Sequence, residues 1–555
     1  CGHLRRYKKI VKKTYIIYPK SFQDSNGDGW GDLQGVISRL DYLQKLGIEY
    51  IWFNAMFVSP QRDNGYDVED YRAIDPRYGT MEDFTELCRE AKKRGIDIML
   101  DMVFNHASTR HVWFQKALKG EEKYKDYFFF RKGKADGSAP NNWNSKFGGP
   151  AWEYVKELDE YYLHLYDVTQ ADLNWDNSEV RKELADIVNF WRSKGVHGFR
   201  FDVVNLVSKG SFEDDPNLFD GRQFYTDGPH IHEYLKELNL NSFGKDEDSM
   251  TVGEMSSTTL ENCTRYSGSD AHELTSVFTF HHLKVDYRNK KKWELMPFDF
   301  MELKQLLNDW QTGMQEADAW NALFWCNHDQ PRAISRFCDD KNYRIEAAKM
   351  LATVLHCMRG TPYVYQGEEI GMTNAYFHDI SQYRDVESTN FYDILKKEGH
   401  SKEEILHILQ ERSRDNARTP MQWNSKQNAG FTDGTPWLSV IDNYKTVNVE
   451  NALQDENSVF YHYQKLIRMR KEYKVIQNGL YIPLLQDHKT VFAYKRKGEE
   501  GELIVLSNFY AEAVRVEIKE NLTDYVLLLS NYKDSKADKC ITLRPYESVI
   551  YYKAS

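Results

Sequence analysis

The sequence predicts an α/β protein: a (β/α)8 TIM barrel with a subdomain inserted after the third strand and an antiparallel β-domain at the C-terminal end. Three observations carry this. Eight short β-rich segments alternate with helical patterns, the alternation breaks once between 105 and 175, and after 472 helical periodicity gives way to short runs of alternating polarity. The expected division is 1–104 with 176–472 for the barrel, 105–175 for the insertion and 473–555 for the β-domain.

The β-rich segments are Tyr15 to Tyr18, Tyr50 to Phe53, Ile98 to Val103, Gly198 to Asp202, Met250 to Glu254, Ser276 to Phe280, Leu323 to Trp325 and Pro362 to Tyr365. Between the second and third, Met81 to Arg94 has helical spacing and stops at Gly95, as a helix followed by a strand should. The interruption is rich in Gly, Lys, Asn and Trp, most densely over 133–150. The last domain offers the runs Thr490 to Tyr494, Glu502 to Leu506, Val514 to Ile518, Tyr525 to Leu529 and Ser548 to Tyr552.

At 555 residues the chain is too long for one ordinary core, but a barrel can absorb most of it. A net charge of −11 argues against nucleic acid or an anionic membrane as the main partner, so an anionic small molecule needs a local basic patch. Seven scattered cysteines, with no C-x-x-C pair, predict neither a disulfide framework nor a zinc site and fit a reducing cytoplasm. No apolar stretch is long enough to span a membrane, and the basic run Arg5 to Lys13 is not followed by a signal-peptide apolar core. A monomer is the favoured state.

In a β/α barrel the C-terminal ends of the strands point polar side chains into the active-site mouth. Here those ends carry Asn105 and His106, Arg200 and Asp202, Glu254, and Asn327, His328 and Asp329. In Gly198-Phe199-Arg200-Phe201-Asp202 the two-residue period places Arg200 and Asp202 on one face. A satisfied core ion pair is the competing reading of that motif alone. The convergence of three carboxylates, two histidines and an arginine on one opening favours a site.

Two carboxyl groups flanking a glycosidic bond suffice for hydrolysis, and retaining enzymes hold them roughly 5–5.5 Å apart. Asp202 and Glu254, on adjacent strands, can meet that spacing. Arg200 would keep Asp202 ionised as nucleophile, while neighbouring negative charge and dryness would keep Glu254 protonated as general acid. Asp329 is expected to bind sugar hydroxyls and favour the cationic transition state, with His106 and His328 as supporting donors.

Asp101 to His106, Gly198 to Asp202, Gly253-Glu254-Met255 and Asn327-His328-Asp329 resemble the signature segments of the α-amylase superfamily, glycoside hydrolase family 13. Asp63-Asn64-Gly65-Tyr66-Asp67 and Arg412 to Trp423 resemble its exo-acting α-glucosidase, oligo-1,6-glucosidase-like branch. The resemblance implies that Asp63 and Arg414 pair across a blind pocket and grip a terminal glucose, with Tyr66 stacked beneath it and Gln170 among the substrate-binding residues. The run Asp24 to Asp32 presents oxygen ligands at alternate positions; it is not an EF-hand, because Gly35 stands where the bidentate glutamate would be. The same resemblance implies a structural Ca²⁺ or Mg²⁺ held by Asp24, Asn26, Asp28, the Trp30 carbonyl and Asp32; a metal-free Asn/Gly turn is the alternative.

Val203 resembles the valine of branch members that cut α-1,6 or α-1,1 linkages. Asp220 to Pro229, Gly253 to Thr259, His281 to Tyr287, Trp320 to Cys326 and Tyr383 to Ser388 resemble those members that hydrolyse trehalose-6-phosphate to glucose and glucose-6-phosphate with retention. A phosphorylated sugar needs fixed cations near the leaving group, and Lys284 and Lys292 are the expected ligands, with Lys290 and Lys291 left as a solvated loop. Asn54-Ala55 and Ala107 depart from the family's usual Thr-Pro and Thr, which bears on subsites and not on the reaction class. The alternative function is an oligo-1,6-glucosidase acting on unphosphorylated α-1,6-glucosides. A sucrose isomerase is disfavoured because its Arg-Leu-Asp-Arg-Asp loop is not found around Val285 to Arg288. A non-catalytic transporter heavy chain is disfavoured by the intact carboxylates.

Overall fold

A computed structural model describes residues 12–217 and 219–555; the start of the basic N-terminal run, up to position 11, and Cys1 lie outside the described residues. Eight strands run parallel in one sheet: β1 (Thr14–Ile17), β2 (Tyr50–Phe53), β3 (Asp97–Met102), β4 (Gly198–Phe201), β5 (Met250–Glu254), β6 (Ser276–Phe278), β7 (Ala322–Leu323) and β8 (Thr361–Tyr365). Their order is β6-β5-β4-β3-β2-β1-β8-β7, and a parallel bridge between Val277 and Asn321 joins the two ends into a barrel. Strands six and seven are shorter than the apolar runs predict. The chain leaves β6 for a 3-10 helix at His281–Leu283, and after β7 it turns where the Asp329 amide donates to Asn327 Oδ1 at 2.8 Å.

Local chemistry explains the helices between strands. Met81–Lys93 starts in a capping box, with Thr80 accepting from the Asp83 amide and Asp83 accepting from the Thr80 amide. It buries Phe84, Leu87 and Ala91 on one face.

The insertion leaves and returns through one two-stranded base, in which His106–Ser108 pairs antiparallel with Gln170–Asp172. Beyond it, a three-stranded sheet places Glu160–Leu163 between Phe130–Arg131 and Trp152–Val155. Its apolar residues Phe129, Trp143, Trp152, Leu163 and Leu165 pack in one cluster with Val203, Leu206 and Tyr225, so the insertion braces the segment that follows β4. At the C-terminal end, β9 (Leu480–Leu484), β10 (Val491–Lys497), β11 (Gly501–Asn508), β12 (Val526–Ser530) and β13 (Ser548–Ala554) form an antiparallel sheet ordered β9-β10-β11-β13-β12. It is fastened to the barrel by Tyr494 donating to the Val354 carbonyl at 2.6 Å and Arg496 donating to the Cys357 carbonyl at 2.8 Å.

Candidate active site

Strand register sets the centre of the site. Arg200 lies opposite Asp101 on β3 and Val252 on β5, so all three side chains share a face, while Asp202 and Glu254 stand one layer further toward the mouth. Phe199 and Phe201 fill the other face and are fully buried. Arg200 Nη1 donates to Asp101 Oδ1 and to Asp202 Oδ1, each at 2.7 Å, and Nη2 donates to Glu254 Oε2. The motif that reads as an ion pair is therefore one guanidinium facing three carboxylates, and Asp101 joins the site.

One guanidinium fork therefore grips both carboxylates and holds them side by side. Burial pushes the Glu254 carboxyl well above its usual value; Arg200 opposes this, and the charges on Asp202 and Asp329 add to it. Glu254 is thus held in its protonated form at the mouth of the barrel. Burial also raises Asp101, against the pull of Arg200 and with the push of Asp202. Asp101 Oδ2 accepts from Tyr66 at 2.5 Å and from Trp52 Nε1 at 3.3 Å.

Directly after Asp202, Val203 has a φ of 37°, left-handed backbone that a β-branched side chain rarely adopts. Its packing among Trp143, Leu206 and Tyr225 holds it there. The residue that resembles a linkage marker is thus also the residue whose strained backbone turns the chain away from Asp202.

The closed end of the cavity is built around Arg414. Its Nε and Nη2 donate to the two oxygens of Asp385 at 2.9 and 2.6 Å, Nη2 also reaches Asp63 Oδ1 at 3.1 Å, and Nη1 reaches Asp329 Oδ1 at 3.3 Å. Asp63 and Arg414 do pair across the pocket, and Asp385 and Arg418 belong with them. Burial would raise Asp329, but the guanidiniums of Arg414 and Arg418 outweigh it and hold the carboxylate ionised, below its usual range. His328 Nε2 lies 3.2 Å from Asp329 Oδ2, and burial pushes this imidazole well below its ordinary value, so it stays neutral. The Tyr66 ring stacks on His328 with centroids 4.9 Å apart.

The insertion's base completes this wall. Gln170 Nε2 donates to Asp63 Oδ2 and to the Tyr66 carbonyl, both at 2.9 Å, and the latter carbonyl also accepts from His106 Nε2 at 2.9 Å. The carbonyl can only accept, so the Nε2 proton of His106 is fixed. Asn64 and Gly65 turn the chain with φ of 49° and 103°, and a Cβ on Gly65 would stand 2.6 Å from the Ala55 carbonyl oxygen.

Outward from Glu254 the pocket opens into a cavity of about 950 Å³ lined by Lys146, Arg222, Lys284, Lys292, Glu387 and Arg414 among others. Lys292 is ion-paired with Glu387, and Arg222 with Asp220 at 2.6 Å. Among the described residues neither Lys146 nor Lys284 has a carboxylate within ion-pair distance. Burial, then Arg222 and Lys284, pushes Lys146 down to about 8; burial likewise lowers Lys284, with Lys292 and Arg222 adding to it. Two ammoniums without an ion-pair partner, lining one cavity, are suited to hold an anion. Of the expected phosphate ligands, Lys284 is free and Lys292 is already committed to Glu387.

The Asp24–Asp32 loop follows β1 and the 3-10 helix Pro19–Ser21. Asp24 accepts from the amides of Asn26, Gly27 and Gly29 at 3.0, 3.2 and 3.0 Å, Asp28 from that of Trp30 at 2.9 Å, and Asp32 from those of Ser25 and Gly35 at 3.0 and 2.7 Å. Burial first, and Asp24 in addition, raises both Asp28 and Asp32. Among the described residues these three carboxylates make no ion pair, so no side-chain cation offsets their mutual repulsion, as suits a hard divalent cation. The side chains are not gathered to ligand distances: among the described residues no three His, Cys, Asp or Glu side chains are set to hold a metal.

Sequence reasoning missed Asp101, Lys146, Arg222, Asp385 and Arg418 as site residues. Asp101 had a signal, a carboxylate inside the apolar run from Ile98 to Val103, the same anomaly that marks Arg200. Lys146 had none, because nothing local distinguishes one lysine of the insertion from another.

Comparison with known proteins gives the family. Residues 16–479 match the catalytic domain of α-amylase, and residues 491–550 match the C-terminal domain of the α-amylase SusG. The chain is 52% identical to trehalose-6-phosphate hydrolase of Bacillus subtilis strain 168, over 98% of each chain. It is 53% identical to trehalose-6-phosphate hydrolase of Escherichia coli K12, over 96% of this chain and 97% of that one. The crystal structure of Bacillus licheniformis trehalose-6-phosphate hydrolase superposes with a TM-score of 0.94 at 52% identity, covering 99% of this chain and 100% of that one. With a catalytic-domain match over most of its length and the Asp202, Glu254 and Asp329 carboxylates at the strand ends of the barrel, the chain belongs to the α-amylase family of glycoside hydrolases, family 13.

Proposed function

We propose that the protein is a retaining phospho-α-glucosidase that hydrolyses trehalose-6-phosphate to glucose and glucose-6-phosphate. The observation that carries the substrate is the pair of unpartnered ammoniums, Lys146 and Lys284, at the mouth beyond Glu254, where the phosphate of the leaving sugar would sit. Two relatives of that activity, at 52% and 53% identity over nearly the whole chain, support the same reading.

The arrangement of these residues supports the following steps. The terminal glucose occupies the pocket between Tyr66 and the Asp63–Arg414 pair. An Asp202 oxygen attacks the anomeric carbon, the glycosidic C–O bond breaks, and Glu254 delivers its proton to the departing oxygen, releasing glucose-6-phosphate. Glu254, now a carboxylate beside Arg200 Nη2, takes a proton from water, whose oxygen attacks the same carbon and frees Asp202 and glucose. Two inversions give retention. Asp329, kept ionised by Arg414 and Arg418, stabilises the positive charge that develops on the ring.

We also assign the Asp24–Asp32 loop a structural Ca²⁺ or Mg²⁺, with Asp24, Asn26, Asp28, the Trp30 carbonyl and Asp32 as ligands. It takes no part in the steps above. A phosphorylated sugar does not cross a bilayer unaided, which supports placing the protein in the cytoplasm.

Turnover of trehalose-6-phosphate, trehalose and isomaltose, measured side by side, tests the reading. The phosphorylated sugar should be preferred by at least about tenfold in kcat/KM, the size of one charge-assisted contact; preference for isomaltose would sink it in favour of an oligo-1,6-glucosidase.

A further inference from the structure

Lys20 follows β1 in the 3-10 helix Pro19–Ser21 and is only 4% exposed. Among the described residues it has no carboxylate within ion-pair distance. Its ammonium instead lies between two indoles, 4.0 Å from the Trp30 ring centroid and 4.1 Å from that of Trp437, and donates to Asn64 Oδ1 at 2.9 Å. The nearest other cation to these rings is Arg77, 4.8 Å from the Trp30 centroid. A buried ammonium without a counter-ion is costly, and an apolar side chain of the same length would fill the space without that cost. What an apolar chain could not do is hold Asn64.

Asn64 is the non-glycine left-handed residue of the turn that presents Asp63 to Arg414 and Gln170 and presents Tyr66 to His328. Trp30 belongs to the Asp24–Asp32 loop. Trp437 is fastened to that loop by its amide, which donates to the Gly29 carbonyl at 3.0 Å, and Thr432 donates to Asp24 Oδ2. One side chain thus touches three segments distant in sequence, only one of which carries pocket residues. Two aromatic faces hold the ammonium in place more firmly than a water-exposed lysine could be held.

We infer that Lys20 is a positioning residue, which braces the Asp63–Tyr66 turn against the Asp24–Asp32 loop and so sets the grip of the pocket on the terminal glucose. This deepens the proposed function and rests on its assignment of that pocket to glucose.

The test is inhibition by glucose, which fills the pocket without needing the mouth, alongside melting temperature. Lys20→Met removes the ammonium and keeps the stem, whereas Lys20→Arg keeps a cation for the indoles and a donor for Asn64. Lys20→Met should raise the inhibition constant for glucose about tenfold, the size of one such coupling, and Lys20→Arg should stay within about threefold of the parent. Asn64→Gly keeps the left-handed backbone and removes the acceptor; it should match Lys20→Met, and the double variant should go no further. It also serves as the test if Lys20→Met does not fold. A folded Lys20→Met or Asn64→Gly that melts lower but binds glucose normally overturns the role, as do independent, multiplying effects in the double variant. Parent protein that glucose fails to inhibit overturns the glucose pocket itself, and the role with it.

Discussion

Arg200 and Asp101 stand opposite each other on neighbouring barrel strands and are joined at 2.7 Å, with neither side chain more than 1% exposed. Asp101 therefore fixes the guanidinium whose other hydrogen bonds hold the nucleophile and the acid. Removing its charge leaves Arg200 free to turn toward Glu254, and Tyr66 loses a charged acceptor. Asp101→Asn should fold and bind substrate yet lose about 10²-fold in kcat, the cost typical of an ångström-scale misplacement; steady-state kinetics with a melting curve separates this from simple destabilisation.

Asp202→Asn removes the attacking oxygen while Arg200 still has Asp101 and Glu254 to bind. Turnover should fall by at least about 10⁴-fold, as for loss of a nucleophile or its partners elsewhere, and calorimetry should still detect trehalose-6-phosphate binding. Appreciable residual turnover would remove Asp202 from the role of nucleophile.

Glu254 must be protonated to act as the acid, and its carboxyl is raised above the ordinary 4.5 chiefly by burial. In the folded protein it binds a proton that the unfolded chain has already lost, so its contribution is present below the unfolded value and is lost as pH rises through the folded one. The kcat/KM profile should therefore have a basic limb set by Glu254, absent in Glu254→Gln. That variant should lose about 10²–10⁴-fold on trehalose-6-phosphate and much less on a nitrophenyl α-glucoside, whose leaving group needs no proton.

At the mouth, Lys146 is pushed down to about 8 by burial and by Arg222 and Lys284. Its charge is present below that pH and fades above it. The KM for trehalose-6-phosphate should climb as pH passes about 8 while the KM for isomaltose does not. Lys284→Ala and Lys146→Ala should each raise the first KM about tenfold and leave the second unchanged, and added salt should mimic them in part. An unchanged affinity for trehalose-6-phosphate in both variants would move the phosphate elsewhere.

A chelator should lower the melting temperature by several degrees, with Ca²⁺ or Mg²⁺ restoring it, since a cation bound only by the native state stabilises by mass action. Asp24→Asn should make the chelator ineffective. Equal melting temperatures with and without chelator in the parent protein would leave the Asp24–Asp32 loop a metal-free turn.

Much of this was legible along the chain. Strand ends in a barrel carry the chemistry, and the side-chain period of two puts Arg200 with Asp202, so those residues, Glu254 and Asp329 could be named from position alone. Asp63 and Arg414 entered through resemblance; they lie 351 residues apart and no local pattern links them. Lys292 shows the limit on the other side. Its place near the mouth was foreseeable, but not that Glu387 would already hold it.

What the sequence by itself determined is the barrel, its insertion and its β-domain, together with the carboxylates at the mouth, because hydrophobic period, turn residues and strand ends are properties of neighbours in the chain. Only the tertiary structure decided that Arg200 faces three carboxylates, that Arg414 is shared among Asp63, Asp385 and Asp329, that Lys146 and Lys284 stand free, and that Lys20 is clasped between two tryptophans. Those facts depend on which loops meet above the barrel, and that is set by packing between segments far apart in the chain, where local preference is silent.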